Sequence, residues 1–143
     1  TASSQEAPCV TVCKSDGTQT GLAFHGVPSG HEFTSFVLGL YNAAGPGQPI
    51  DEEKKRQIAA ITHTTDMKLL VTLSCTMCPD LVVAAQRIAA ENSHIKAHVY
   101  DIRHFADLKE RYKVMSVPCL VINDDEVLFG KKNIEQIIQL ISK

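Results

Sequence analysis

The sequence predicts an α/β chain: a β-α-β-α-β-β-α domain over residues 67–143, preceded over residues 1–66 by a ββα half-domain and a linking helix. Three observations predict it. Met67 to Leu73 (MKLLVTL) is an apolar run of strand length, and Asp80 to Glu91 puts Val82, Val83, Ala85, Ile88 and Ala89 on one helical stripe. Between them stands Ser74-Cys75-Thr76-Met77-Cys78-Pro79, so two cysteines fall on a strand-to-helix junction. The third observation is an internal repeat. Pro8-Cys9-Val10-Thr11-Val12, a polar turn, Leu22-Ala23-Phe24, Gly26 and an apolar helix match a later set: Pro118-Cys119-Leu120-Val121-Ile122, an acidic turn, Val127-Leu128-Phe129, Gly130 and a helix.

Taken in order, residues 1–7 are small and polar and read as a disordered lead. Pro8 to Cys13 and Gly21 to Gly26 are β-rich around the turn cluster Lys14-Ser15-Asp16-Gly17, which makes a hairpin. His31 to Leu40 carries Phe33, Phe36, Val37 and Leu40 at helical spacing and reads as a packed helix, with Phe24, Phe33 and Phe36 in the core. Asn42 to Pro49 is a loop. Asp51 then caps an amphipathic helix that turns apolar at Ile58 and Ile61. After the cysteines come a strand at Ile95–Tyr100, a short helix at Phe105–Tyr112 and a loop at Val114–Pro118. Cys119–Asn123, the turn Asp124-Asp125 and Glu126–Phe129 form a second hairpin, and Asn133–Ile141 closes the chain as a helix. A half-unit leaves apolar edges to cover, so the two copies are expected to pack together, with their sheets running on.

A helix start gathers unpaired N–H groups and positive dipole, both of which favour an anion. Cys75 at such a start ionises more easily than an ordinary thiol, and Cys78 lies one turn later, able to resolve a mixed disulfide on Cys75. Zinc sites share the C-x-x-C spacing. Here no second pair follows, Pro79 suits a first helical turn, and Ser116-Val117-Pro118 precedes another strand. That is where a thioredoxin-like fold sets a cis-proline loop against its active site. Dithiol–disulfide exchange is therefore the favoured chemistry, with a structural zinc or docking module as the competing reading.

Composition narrows the classes. A net charge of −2 and no basic stripe argue against nucleic acid and anionic membrane as partners, and no run has the length of a membrane helix. The start carries no signal-peptide pattern and no initiator Met, as expected of a processed or excised piece. Five cysteines form no disulfide framework. Cys9 and Cys13, on one strand, would stand about 13 Å apart, beyond the roughly 7 Å limit for bridging. This usage points to a reducing cytoplasm with one dedicated pair.

The chain resembles the N-terminal domain of the alkyl hydroperoxide reductase flavoprotein family, in which two thioredoxin folds are fused and only the second holds a C-x-x-C. The resemblance rests on Gly30-His31-Glu32-Phe33-Thr34-Ser35 with Phe36-Val37-Leu38, on Ser74-Cys75 with Cys78-Pro79-Asp80, and on Val114 to Pro118. It covers nearly the whole chain except the first fold's opening βαβ. It implies Cys75 as attacking thiol, Cys78 as resolving thiol and Glu32 as an acid/base carboxylate beside them. Thr76, Met77, Pro79, Val117 and Pro118 would form the active-site loops. It implies electrons arriving from a thioredoxin-reductase-like flavoprotein, fused or separate, and leaving to a peroxiredoxin. FAD and NAD(P)H would then belong to that module, since the chain has no G-x-G-x-x-G. Thr76-Met77 departs from the His-Asn of relatives. A general glutaredoxin-type oxidoreductase is the alternative.

Other residues have plainer readings. Glu32 in a first helical turn also suits the dipole. Cys119 is a small strand residue, or a third redox thiol beside the proline. Cys9 and Cys13 read as packing, His31 as a surface or capping residue, and Met77 as exposed at the site. His63, His94, His98 and His104 show no metal-ligand spacing.

Overall fold

The computed structural model describes residues 8–142; the polar lead at 1–7 lies outside the described residues. The chain forms β1 (Cys9–Cys13), β2 (Gln19–His25), a 3₁₀ turn (Gly30–Glu32), α1 (Phe33–Ala44), α2 (Glu52–Ala59) and β3 (Thr65–Val71). It continues with α3 (Cys78–Glu91), β4 (Ile95–Asp101), α4 (Ala106–Arg111), β5 (Cys119–Ile122), β6 (Glu126–Phe129) and α5 (Ile134–Ile141). From β3 onward this is the expected β-α-β-α-β-β-α order.

All six strands join one sheet in the order β1-β2-β4-β3-β5-β6. β3 and β4 run parallel, joined by a helical crossover as parallel pairing requires, and β5 and β6 complete the sheet antiparallel. The earlier hairpin adds to the other edge, with β2 parallel to β4 from Leu22↔Ala97 to His25↔Tyr100. The two copies thus share one continuous sheet, as the repeat suggested. Their likeness extends to single hydrogen bonds. Gly26 N–H donates to the Pro8 carbonyl at 2.8 Å, and Gly130 N–H donates to the Pro118 carbonyl at 3.0 Å.

Strand alternation divides the interior between the two faces. Leu22, Phe24, Met67, Leu69, Val71, Ala97, Val99, Leu120 and Ile122 face the larger core, where α3 packs with Leu81, Ala85 and Ile88. Leu70, Cys119 and Val121 face the smaller one with Phe105, Leu108 and Tyr112 around α4. At the β2–β4 seam, His25 Nε2 lies 3.1 Å from His98 Nδ1, and His25 stacks on Tyr100 with ring centroids 4.0 Å apart. Burial, reinforced by the neighbouring His25, pushes His98 down to about 4.

α2 is capped as expected, with the Asp51 side chain accepting from Lys54 N–H at 2.8 Å. It is tied to α3 by Asn92, whose amide donates to the carbonyls of Ile58 (2.7 Å) and Ile61 (2.8 Å). The expectation for α1 is corrected. Phe33, Val37 and Leu40 are not core: they are 59%, 44% and 41% exposed. α1 instead buries Ser35, Gly39 and Asn42. A Cβ on Gly39 would stand 2.8 Å from Gln86 Oε1, and Gln86 Nε2 donates to the Ser35 carbonyl at 2.8 Å. Close backbone approach to α3 sets the buried face, and the larger side chains turn outward. Phe36 stays partly buried against Phe24, edge to face at 6.3 Å. The expected loop at 42–49 also starts later, because α1 continues to Ala44.

Candidate redox site

The parallel strands β3 and β4 end on the same side of the sheet, and α3 starts there directly after β3. Cys75 and Cys78 are joined as a disulfide, with Cα atoms 5.6 Å apart. Cys78 is fully buried in the first turn of α3, whereas Cys75 is only partly covered. The Cys78 N–H donates to Cys75 Sγ at 3.1 Å, so an unpaired donor of the helix start is aimed at the sulfur that would carry the thiolate. Pro79 occupies the first turn, where its missing N–H leaves no partner wanting. Thr76 and Met77 lie at the surface, Met77 50% exposed.

Antiparallel pairing of β3 with β5 sets Leu70 opposite Cys119, which brings the chain before β5 alongside the junction. The Val117–Pro118 peptide is cis, Pro118 is buried, and Val117 packs with Cys75 against the same core. Cys119, one residue on, points to the opposite face of the sheet, among Leu70, Phe105 and Val121. Burial pushes its thiol up to about 11, so it stays protonated at neutral pH. It packs as the small strand residue of the plainer reading. Cys9 and Cys13 are free thiols on β1, away from the pair, and do not bridge each other.

Glu32 reaches this end of the sheet through a clamp that sequence reading did not reveal. Gly30 has φ +57, and a Cβ there would meet the Leu73 carbonyl at 2.7 Å. His31 N–H donates to that same carbonyl at 2.9 Å. The 3₁₀ turn is thereby fixed to the residue just before Ser74-Cys75, and it packs against α3. The Glu32 side chain is completely buried. Its Oε1 meets the Ser35 hydroxyl, while Oε2 has no hydrogen-bond partner among the described residues. Burial pushes the carboxyl up to about 7, with the Ser35 hydrogen bond acting in the opposite sense and no charged group among the described residues contributing. The signal in the sequence is the spacing Gly30-x-Glu32-x-x-Ser35, which sets carboxyl and hydroxyl one turn apart on one face. Among the described residues, no three His, Cys, Asp or Glu side chains converge as a metal site.

Comparison with known proteins agrees with this geometry. A thioredoxin domain family model matches residues 65–142. An alkyl hydroperoxide reductase of Pseudomonas aeruginosa is 35% identical over 125 residues, which is 87% of this chain and 24% of that protein. The chain thus spans about a quarter of the length of that relative. The structure of the NTD_N/C domain of alkylhydroperoxide reductase AhpF from Enterococcus faecalis superposes with a TM-score of 0.91 at 39% identity, covering 95% of this chain and 65% of that one. A protein disulfide oxidoreductase from Aeropyrum pernix has the same fold, with a TM-score of 0.85 at 22% identity over 96% of this chain and 59% of the other. The chain belongs to the thioredoxin-domain family, as a thiol–disulfide oxidoreductase domain similar to the N-terminal domain of the alkyl hydroperoxide reductase flavoprotein.

Proposed function

We propose that this domain carries electrons within a peroxide-reducing system of the cytoplasm. A thioredoxin-reductase-like flavoprotein, fused or separate, holds the FAD and NAD(P)H sites and reduces the Cys75–Cys78 disulfide. The dithiol then reduces a peroxiredoxin. On this reading residues 67–143 are the redox domain, and residues 1–66 are a half-domain that supplies Glu32. The supporting observation is that buried carboxyl, clamped to the turn before the dithiol and poised near neutral pH. Similarity to the alkyl hydroperoxide reductases of Pseudomonas aeruginosa and Pseudomonas putida supports the same reading.

The chemistry follows from the unequal surroundings of the two sulfurs. The Cys75 thiolate attacks one sulfur of the partner's disulfide; its electron pair forms the new S–S bond, and the partner's other sulfur leaves as a thiolate. Cys78, shielded from water, must lose its proton before it can act. Its S–H bond breaks toward the Glu32 carboxylate, directly or through a water molecule. The Cys78 sulfur then attacks Cys75, forming the Cys75–Cys78 bond and releasing the second partner sulfur. Two electrons have moved to the partner. Val117, with Thr76, Met77 and Pro79, forms the surface that meets the partner's disulfide, and the buried Pro118 holds Val117 in that loop.

The test is reconstitution. With a thioredoxin-reductase-like flavoprotein, NADH and a peroxiredoxin, peroxide-dependent NADH oxidation is expected only when this domain is present. Turnover with glutathione and glutathione reductase, and none with the flavoprotein, would replace this reading with a glutaredoxin-type activity. Zinc bound near one per chain in the reduced protein would displace both.

A further inference from the structure

Ser35 is buried and carries one hydroxyl hydrogen, yet its Oγ lies within bonding distance of two oxygens of the same residue. One is the Glu32 backbone carbonyl at 3.0 Å, the other Glu32 Oε1. A hydroxyl donates one hydrogen bond at a time and can accept others. When the carboxyl holds its proton on Oε1, that O–H donates to Ser35 Oγ, and the Ser35 hydrogen goes to the carbonyl. When the carboxyl is ionised, Oε1 has no hydrogen to give, and the Ser35 O–H must turn to it or leave two oxygens facing each other. Among the described residues no other donor reaches the carboxyl, and Oε2 is unpartnered.

Resting on the reading of Glu32 as the proton acceptor for Cys78, we propose that Ser35 is a positioning residue whose hydroxyl rotates from the Glu32 carbonyl to Oε1 as the carboxyl loses its proton. Ionised Glu32 thus meets the thiol proton at the unpartnered Oε2 while Ser35 holds Oε1, and the hydroxyl returns to the carbonyl once that proton has exchanged through water to Oε1. Ser35 is well held for the task. Its own carbonyl accepts from the buried Gln86 amide at 2.8 Å, which fixes its place on α1 against α3. The neighbouring elements bring no competing charge. On α3, Asp80 is largely exposed and Arg87 is engaged by Glu91 and the Gln48 carbonyl; on the 3₁₀ turn, His31 is exposed. On β2, His25 turns to the other face of the sheet against Tyr100 and Phe105, and on β4 Asp101 accepts from the Arg103 N–H. Ser35 is therefore the polar side chain that offsets burial of the carboxylate.

The experiment follows release of thionitrobenzoate in a single turnover of the reduced protein with dithiobis(nitrobenzoate), with Cys9 and Cys13 replaced by serine. The first release reports attack by Cys75 and the second reports resolution by Cys78. In Ser35→Ala, the pH midpoint of the second phase is expected to move up by about one to two units, the value of one hydrogen bond to a charged group. Its rate at neutral pH should drop about tenfold or more and recover at alkaline pH. Ser35→Thr, which keeps the hydroxyl, should keep the wild-type midpoint. Alanine also favours the helix, and a thermal melt at acid pH confirms folding. If Glu32→Gln is slow while Ser35→Ala keeps the wild-type midpoint, the rotating hydroxyl is overturned and the acid/base reading of Glu32 stands. If Glu32→Gln is as fast as wild type, the acid/base reading itself falls. In the double variant, Ser35→Ala should add no further pH shift to Glu32→Gln.

Discussion

Helices α1 and α5 close the two copies of the ββα repeat, and they carry the same apolar spacing with opposite outcomes. In α5, Ile134, Ile137, Ile138 and Ile141 follow the pattern, and the last three are buried. In α1, Phe33, Phe36, Val37 and Leu40 follow it too, yet three of the four are exposed. α5 lies against both α3 and α2 and fills the space between them. α1 meets α3 through Ser35 and Gly39, with Gln86 reaching across. Periodicity thus specifies a helix and its stripe, while the neighbour decides whether the stripe is covered. The starts of the two helices differ as well. α5 opens with a closed capping box between Asn133 and Gln136. α1 opens with a 3₁₀ turn whose buried carboxyl has one unpartnered oxygen. One copy buries its apolar stripe, and the other buries an ionisable group in a turn clamped to Leu73.

The largest effect tests the thiols that both copies flank. Cys75→Ser should abolish disulfide reduction, while Cys78→Ser should trap a mixed disulfide with the partner, visible on a non-reducing gel. Faster iodoacetamide labelling of Cys78 than of Cys75 in the reduced protein would reverse their roles. Next comes the copy with the buried stripe. Ile137→Ala should cost about 2–5 kcal/mol, measured by urea unfolding, because the site is buried on all sides. Its redox rate should change little at temperatures where the variant remains folded.

The third test separates function from stability. Glu32→Gln should slow resolution more than tenfold. Its stability should not fall, and its advantage over wild type should depend on pH. The folded carboxyl is raised from 4.5 to about 7, so below the lower value both folded and unfolded forms are protonated and no penalty applies. As pH rises through that window the unfolded chain ionises first, and wild-type stability falls until the folded carboxyl also ionises. Unfolding curves at pH 4 and pH 8 should show the variant gaining on wild type only at the higher pH. A loss of stability that is equal at both pH values would make Glu32 a structural residue. The smallest effect completes the comparison: Val37→Ser on α1 should change stability by roughly 0.5 kcal/mol or less. A cost comparable to that of Ile137→Ala would mean that the α1 stripe is covered in solution.

Much of this is legible in the sequence, because it depends on neighbours in the chain. The strand-to-helix junction fixes Cys75 and Cys78, Asp51 caps its own helix, and the match of Pro8 to Gly26 with Pro118 to Gly130 holds down to one hydrogen bond. Family resemblance points to Glu32, whose role the Glu32→Gln variant tests. What stays hidden depends on distant partners. The clamp between His31 and Leu73, the Gln86 bond to Ser35 and the His25–His98 contact each join segments far apart in the chain. Local pattern carries no trace of such pairs. The exposure of Phe33 escapes the pattern for the same reason, since Gly39 and Gln86 decide which way α1 turns.

The parallel seam between β2 and β4 has a consequence for how the molecule is made. Leu22 finds its neighbour in Ala97, so the first hairpin leaves the ribosome well before its sheet partner exists. At synthesis rates of about 5–20 residues per second, that wait lasts several seconds, long compared with the microseconds in which a hairpin forms. During this interval the apolar side chains of Leu22 and Phe24 lack the core that later buries them. Such late, distant pairing slows folding and leaves the nascent chain open to wrong contacts, which chaperones would have to suppress. Glu32 is thus synthesised early, and the turn that carries it gains its anchors only when Leu73 and Gln86 have followed.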